Sequence, residues 1–265
     1  MGCWESIMLF SVNDTIGYRV HAVDGEIGSV HDLFFEDVTS RVRYVVADTG
    51  GWLVGLRVLL APSACGNLDP AKHEIITHLT KEQVENSPPV DADKPVSRQH
   101  EEELHRHYAW SPYWHQAGVY GAAPYWGGFS MAEPSCSVEE TPVEREAADA
   151  ERARLDPHLR SAREVIGYYI EARDGDIGHV EDLLVDEHDW AIRYIVVDTR
   201  NWLPGRKVVI ATDWLERVEW ATQQIVVDLT RDQIRNSPEY DPSQNLDRSH
   251  QERLYRHYGR PPYWT

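Results

Sequence analysis

The sequence predicts a mainly β chain with short helices, built as two tandem, partly open β-barrels of mainly antiparallel strands, each followed by two short helices. Three observations carry that reading. The stretch Asp24 to Leu53, DGEIGSVHDLFFEDVTSRVRYVVADTGGWL, returns as Asp174 to Leu203, DGDIGHVEDLLVDEHDWAIRYIVVDTRNWL. Adding 150 to any number from Ile16 to Trp114 reaches its counterpart without a gap, and about 40 of the 99 pairs are identical, far above chance for a unit of this length. Within each copy, short runs of β-branched and aromatic residues alternate with Gly, Pro and Asp turn signals, the mark of packed short strands. The chain of 265 residues therefore divides into a first barrel with its helices (1–114), a linker (115–160) and a second barrel with its helices (161–265).

Residues 1–13 read as a leader whose apolar segment, Ile7 to Phe10, adds to the first barrel. IGYRVHA and IGSVHDLFFE form a hairpin, with Asp24-Gly25 supplying the positive φ angles of a type I′ turn and Asp174-Gly175 doing the same in the second copy. VRYVVADT (Val42 to Thr49) has the composition of a strand buried on one or both faces. Gly50, Gly51 and Gly55 bracket Trp52 and Leu53 in a sharp connection. LRVLLAP and HEIITHL supply two more strands, separated by the turn-rich CGNLDPAK, and the second copy continues with RKVVIAT and QQIVVDL.

Each barrel then ends in helices with legible start signals. Thr80 to Gln83 and Thr230 to Gln233 fit the capping box, in which hydroxyl and carboxamide satisfy orphan backbone donors reciprocally. Ser97 and Asp247 cap a second helix in each copy, and in the first of these His100, Leu104, His107 and Tyr108 fall on one face. Each copy closes with Pro-Tyr-Trp. The linker starts Gly- and aromatic-rich, with a third Pro-Tyr-Trp at Pro124 to Trp126, and turns acidic over 133–156, a composition too poor in apolar side chains for a core.

The formal net charge of -18 is spread over the chain, about -8, -4 and -6 for the first barrel, 115–160 and 161–265. No stretch clusters the Lys and Arg that a phosphate backbone requires, so nucleic acid is not an expected partner. The three cysteines, Cys3, Cys65 and Cys136, have no counterparts in the other copy, which argues against a disulfide framework and for a reducing, cytoplasmic setting. No run approaches a membrane span, and the N-terminus lacks the flank and apolar core of a signal peptide.

The carboxylates Asp24, Asp32, Asp48 and Asp91 recur as Asp174, Asp182, Asp198 and Asp241. A converging set of oxygens holds Ca²⁺ or Mg²⁺, but no EF-hand spacing is present, and turns, strand ends and loops account for Asp24, Asp48 and Asp91. The histidines His100 and His107, with His250 and His257 in the second copy, are the metal candidates, although HEEELH lacks the H-E-x-x-H spacing and packing against the barrel explains them more simply. The aromatic residues Trp110, Tyr113, Trp114, Tyr125, Trp126, Tyr263 and Trp264 are the interaction candidates, because aromatics beside Pro pin a tail onto a neighbouring surface. No nucleophile with a paired base, Gly-rich phosphate loop or CxxC pair is present, so no catalytic residue and no cofactor is expected.

DGEIGxVxD, RYVVADTGGWLxG, RVLLAP and LTKEQVENSP, together with LTRDQIRNSPEYD and HYGRPPYW of the second copy, resemble the PRC-barrel family, named for the cytoplasmic barrel of the photosynthetic reaction centre H subunit. The resemblance covers nearly the whole chain apart from leader and linker. It implies a scaffold that binds proteins without a shared catalytic residue. The chain departs from the reaction centre subunit in lacking its membrane helix, and from the ribosome maturation factor of the family in lacking its partner domain and basic surface. The first copy has Val54, Leu56 and Ala64 where the second has Pro204, Arg206 and Trp214. The expected function is that of a non-enzymatic adaptor or assembly protein whose partners are proteins, itself as a homodimer among them. The alternative is a small-ligand or metal-binding protein using the His and aromatic helix face.

Overall fold

The computed structural model describes residues 8–51, 56–88, 96, 98–113, 158–199 and 206–264. Among the predicted features, Trp52, Leu53, Val54, Gly55, Asp91, Ser97, Trp114, Tyr125, Trp126, Pro204, Cys3, Cys136 and nearly all of the linker lie outside the described residues. The first half holds β1 (Leu9–Ser11), α1 (Val12–Thr15), β2 (Arg19–Ala22), β3 (Gly25–Glu36), β4 (Val42–Asp48), β5 (Arg57–Leu60), β6 (Cys65–Asp69), β7 (Glu74–Thr77), α2 (Lys81–Glu85) and α3 (Arg98–Tyr108). The second repeats it as β8 (Leu159–Ser161), α4 (Ala162–Val165), β9 (Tyr169–Ala172), β10 (Gly175–Asp186), β11 (Ile192–Asp198), β12 (Lys207–Ala211), β13 (Leu215–Glu219), β14 (Gln224–Val227), α5 (Arg231–Arg235) and α6 (Arg248–Tyr258).

Two seven-stranded mixed sheets result. One runs β5-β4-β3-β2-β7-β6, the other β12-β11-β10-β9-β14-β13, and neither path closes into a ring. All pairs are antiparallel except β2 with β7 and β9 with β14. The seventh strand of each sheet comes from the other half of the chain: β1 pairs with β10, and β8 pairs with β3. The apolar leader was expected on the first barrel, and Leu9–Ser11 instead joins the second. A long strand such as β3 outruns its hairpin partner β2, which covers only Gly25 to Ser29, and so leaves an edge at Phe34 to Glu36 for another chain segment. Leu159 and Arg160, at the end of the predicted linker, belong to that segment.

Two further expectations are corrected. The type I′ turn at Asp24-Gly25 does not form: Ala22 pairs with Gly25, so Val23 and Asp24 make the turn, and neither has a positive φ. Gly25, at φ +143°, opens β3 instead, and Asp24 turns its Oδ1 to the Lys81 amide at 2.9 Å, tying the hairpin to α2, as Asp174 does with Arg231 at 2.7 Å. The turn-rich CGNLDPAK also contains a strand, β6, which pairs with β7 across a bulge between Cys65 and Leu68. Gly66 and the Asp-Pro pair hid it, because a bulge tolerates residues that a regular strand disfavours.

Each sheet is buried on both faces along its central strands. In β4, Val45 and Ala47 face the barrel interior with Leu33 and Leu60, while Tyr44 and Val46 join Phe34, Leu59 and Leu104 under α3. Leu159 of the exchanged β8 completes that second cluster at 6% exposure, worth about 2 kcal/mol of apolar burial. The interior cluster includes buried residues of both halves. Val45 pairs with Leu33 and Leu60, and Ile195 with Leu183 and Ile210, so the repeat conserves surroundings as well as residue type. The capping boxes of α2 and α5 form as expected, and Asp247 caps α6 through the His250 amide.

Candidate functional site

The two barrels meet where the exchanged strands enter, and three sets of polar residues fix that junction. The first is a buried carboxylate on a long, partly polar strand. Asp32, 6% exposed on β3, accepts the hydroxyl of Ser161 at 2.5 Å through Oδ2 and the amides of Leu33 at 2.7 Å and Arg163 at 3.2 Å through Oδ1. Ser161 in turn caps α4 by accepting from the Glu164 amide. Asp182 repeats the arrangement with Ser11, Leu183 and Asn13. Burial raises both carboxyls above the usual aspartate range, against the lowering effect of the hydroxyl and amide donors. Asp32 was the one repeated carboxylate of the first copy with no turn or loop to explain it. A second signal, the serine pair Ser11 and Ser161 at the same 150-residue offset, lies upstream of the aligned repeat.

The second set lies at the pseudo-symmetry axis. Arg41 and Ala191 form an antiparallel bridge, flanked by bonds from the Val42 amide to Trp190 O and from the Ile192 amide to Ser40 O, both 2.8 Å. Arg41 reaches the Asp189 carboxylate at 3.0 Å, which Arg193 also holds at 2.6 Å. Phe10 packs edge-on to Trp190 at 5.4 Å, whereas at the matching place in the other barrel Arg160 pairs with Asp37 at 3.2 Å and lies over Trp220.

The third set breaks the symmetry. Glu101 on α3 has a fully buried side chain. Its Oε1 accepts the Tyr113 hydroxyl at 2.5 Å and the Tyr44 hydroxyl at 3.1 Å, and its Oε2 accepts Nε2–H of His158 at 2.7 Å. His105 lies 2.9 Å from the Tyr44 hydroxyl. Tyr113 ends the described part of the first unit and His158 opens the second, so one carboxylate clasps the chain on both sides of the linker. At the equivalent positions of the other barrel stand Gln251, Tyr194, Tyr263, Tyr255 and Met8. There Gln251 Oε1 accepts Tyr194 at 3.2 Å and Tyr263 at 3.4 Å, and Met8, the counterpart of His158, is 46% exposed.

The helix face expected from sequence is therefore rotated. Glu101, Leu104 and His105 are buried and Tyr108 half-buried, while His107 is exposed. The i, i+3, i+4, i+7 spacing was present, but a Glu and a His on it read as surface. His107 and His257 each donate Nε2–H to a backbone carbonyl, Gln83 O and Gln233 O, at 2.8 Å, pinning the long helices to α2 and α5. His250 lines a pocket of about 540 Å³ with Lys207, Tyr240 and Arg253, and its Nε2 is buried without a hydrogen-bond partner; burial lowers its pKa first, and Arg253 adds to that. Among the described residues no three His, Cys, Asp or Glu converge on a metal-sized point. His100 is half-buried on α3.

The aromatic interaction candidates that are described dock within the chain. The guanidinium of Arg43 lies over Tyr113 at 4.0 Å, Arg193 over Tyr263 at 4.2 Å and Arg248 over Trp264 at 3.9 Å. Trp110 stacks on Tyr108 at 4.3 Å. In the second barrel the indole comes from Trp214, which packs on Tyr258 at 4.6 Å. Where the second copy has Trp214 for Ala64 and Arg260 for Trp110, each barrel thus keeps an indole against the equivalent tyrosine, Tyr108 or Tyr258.

A duplicated small open barrel with exchanged lead strands and a helical cover defines a tandem barrel protein. The model of the PRC-barrel domain matches residues 8–84 and 157–234, and the chain belongs to that family. It is also similar to an uncharacterized protein of Deinococcus radiodurans, 34% identical over 94 residues, which are 33% of this chain and 34% of that protein. The match thus spans about a third of the length of that relative. Among the described residues no helix is long and apolar enough to cross a membrane.

Proposed function

We propose that this chain is a non-enzymatic adaptor that offers acidic barrel faces to protein partners of complementary charge. The observation that supports it most is the interlock itself. Two barrels that exchange strands and share a core form one body, within a chain of formal charge -18. Electrostatic complementarity on such a body gives partner choice and fast association without a reaction centre. Of the polar groups singled out by the repeat, Asp24, Asp32, Asp174 and Asp182 hold backbone amides, and His107 and His257 hold backbone carbonyls. The cysteine usage supports a cytoplasmic setting.

The test is affinity capture at low and high salt, followed by reconstitution of the retained protein with purified wild type and with a variant whose exposed Asp and Glu are changed to Asn and Gln. A stoichiometric partner that salt and the substitutions both release supports the adaptor reading. Binding indifferent to both overturns it. A second reading, capture of a small ligand or metal ion, is supported by the pocket lined by Lys207, Glu239, Asp241, His250 and Arg253; a thermal-shift screen with small carboxylates, amines and divalent cations tests it, since a ligand at 100 times its Kd adds about 2.7 kcal/mol of stability.

A further inference from the structure

We infer that each barrel carries a strand-exchange surface for a second barrel of this chain, and that the Glu101–His158 and Phe10–Trp190 contacts restrict that surface to pairing a first barrel with a second one. The inference concerns how barrels recognise each other and goes beyond the external partner proposed above; a failure here leaves the captured partner unaffected. The backbone part of the junction is self-complementary. Leu9 pairs with Asp186 and Leu159 with Glu36, Ser11 with Leu184 and Ser161 with Phe34, each the other's image under the 150-residue offset. Arg41 pairs with Ala191, its own counterpart, so the pseudo-twofold axis passes between them. That is the geometry of an isologous dimer, in which one patch meets a copy of itself.

The side chains remove the ambiguity that such symmetry creates. In a first-with-first pair the strand entering beside Glu101 would be β1, bringing Met8 in place of His158, and a fully buried carboxylate would lose its imidazole hydrogen-bond donor. Phe10 would meet Ser40 where it now meets Trp190. In a second-with-second pair His158 would face Gln251, and Arg160 would face Glu187 and Trp190 in place of Asp37. Stripping a buried charge of its partner costs far more than an exposed pair contributes, so the first-with-first pair is the more strongly excluded.

The test uses the full chain with a protease site placed between residues 115 and 156. After cleavage, native mass spectrometry is expected to find the two halves bound one to one at micromolar concentration. Nicked chains of natural and ¹⁵N composition, mixed, unfolded and refolded, should give light and heavy halves combined at random but always first with second. Glu101→Gln with His158→Met, the pair of residues that the other barrel already uses, should raise first-with-first complexes at least about tenfold. Adding Trp190→Ser to that variant, with circular dichroism to show that it folds, should raise them further. Halves that part on cleavage overturn the exchange surface. Like-with-like pairs as abundant in wild type as in the variants overturn the selectivity.

Discussion

The carboxylate of Asp32 accepts the hydroxyl of Ser161, 129 positions further along the chain, and the same carboxylate holds the Arg163 amide in the first turn of α4. Asp32 thereby does for the exchanged strand what a capping residue does for a helix, from the opposite barrel. Its chemistry gives a pH prediction. Burial raises its folded carboxyl pKa, as it does that of Asp182. A carboxyl raised in this way contributes stability below its unfolded pKa and loses it as pH rises through the folded value. Asp32→Asn, which has no proton to release, should therefore gain on the wild type from about pH 4 to pH 7, read as the difference in urea midpoints. A difference that stays flat, or runs the other way, counts against the buried charge.

Asp32→Ala should behave quite differently from the amide. It leaves the Leu33 and Arg163 amides and the Ser161 hydroxyl without their acceptor, and buried unmade bonds cost about 1–3 kcal/mol each. A loss of about 3 kcal/mol in urea unfolding is expected, with the β8 amides exchanging faster than those of β4. Uniform exchange across both strands would show that the interlock is not where the stability was lost.

Gly28 and Gly178 are held by a close approach. A Cβ at either would lie 2.0 Å from a backbone oxygen, Asp48 O or Asp198 O, and their φ angles are +156° and +138°. Substitution by Ala should cost more than about 3 kcal/mol in either barrel, since strain adds to the clash. Gly17 is also at positive φ, but a Cβ there would meet nothing within 4 Å, and Ala should cost only the backbone strain of about 1–2 kcal/mol. Equal costs at Gly17 and Gly28 on thermal melting would refute the distinction.

Glu101 and Gln251 occupy equivalent positions with unequal stakes. Truncating Glu101 to Ala releases Tyr44, Tyr113 and His158 together and should cost about 3–5 kcal/mol, the range for breaking a buried pair. Gln251→Ala, which removes a neutral acceptor, should cost about half as much. The two melts are compared in the same buffer, and an equal loss would mean that the His158 contact contributes nothing.

Cys65 is buried on β6, and burial pushes its thiol up to about 12. It should resist a thiol reagent in the native state and react on unfolding, so that its labelling rate follows the unfolding equilibrium. Prompt labelling in native buffer would place it elsewhere.

Much of the fold is legible in the residues one at a time. The capping boxes at Thr80 and Thr230 and the Val42 to Asp48 strand follow from local rules, and an unbroken offset of 150 predicts that whatever fold one half adopts the other shares. The junction is legible only in part. Asp32 is the repeated carboxylate of the first copy that no turn, strand end or loop accounts for, yet nothing local says that its partner is Ser161, and Glu101 and His105 read as surface because a charged helix residue is normally solvated.

The sequence by itself therefore determined the duplication, the β-rich units, the family and the acidic character, all of which depend on residue type and spacing. Tertiary structure alone decided which barrel each lead strand completes, because β1 and β8 are short and equally suited to either edge, and local pairing energies do not distinguish them. What distinguishes them is the company each strand brings, Phe10 toward Trp190 and His158 toward Glu101, and those contacts exist only once both barrels have folded around the same junction.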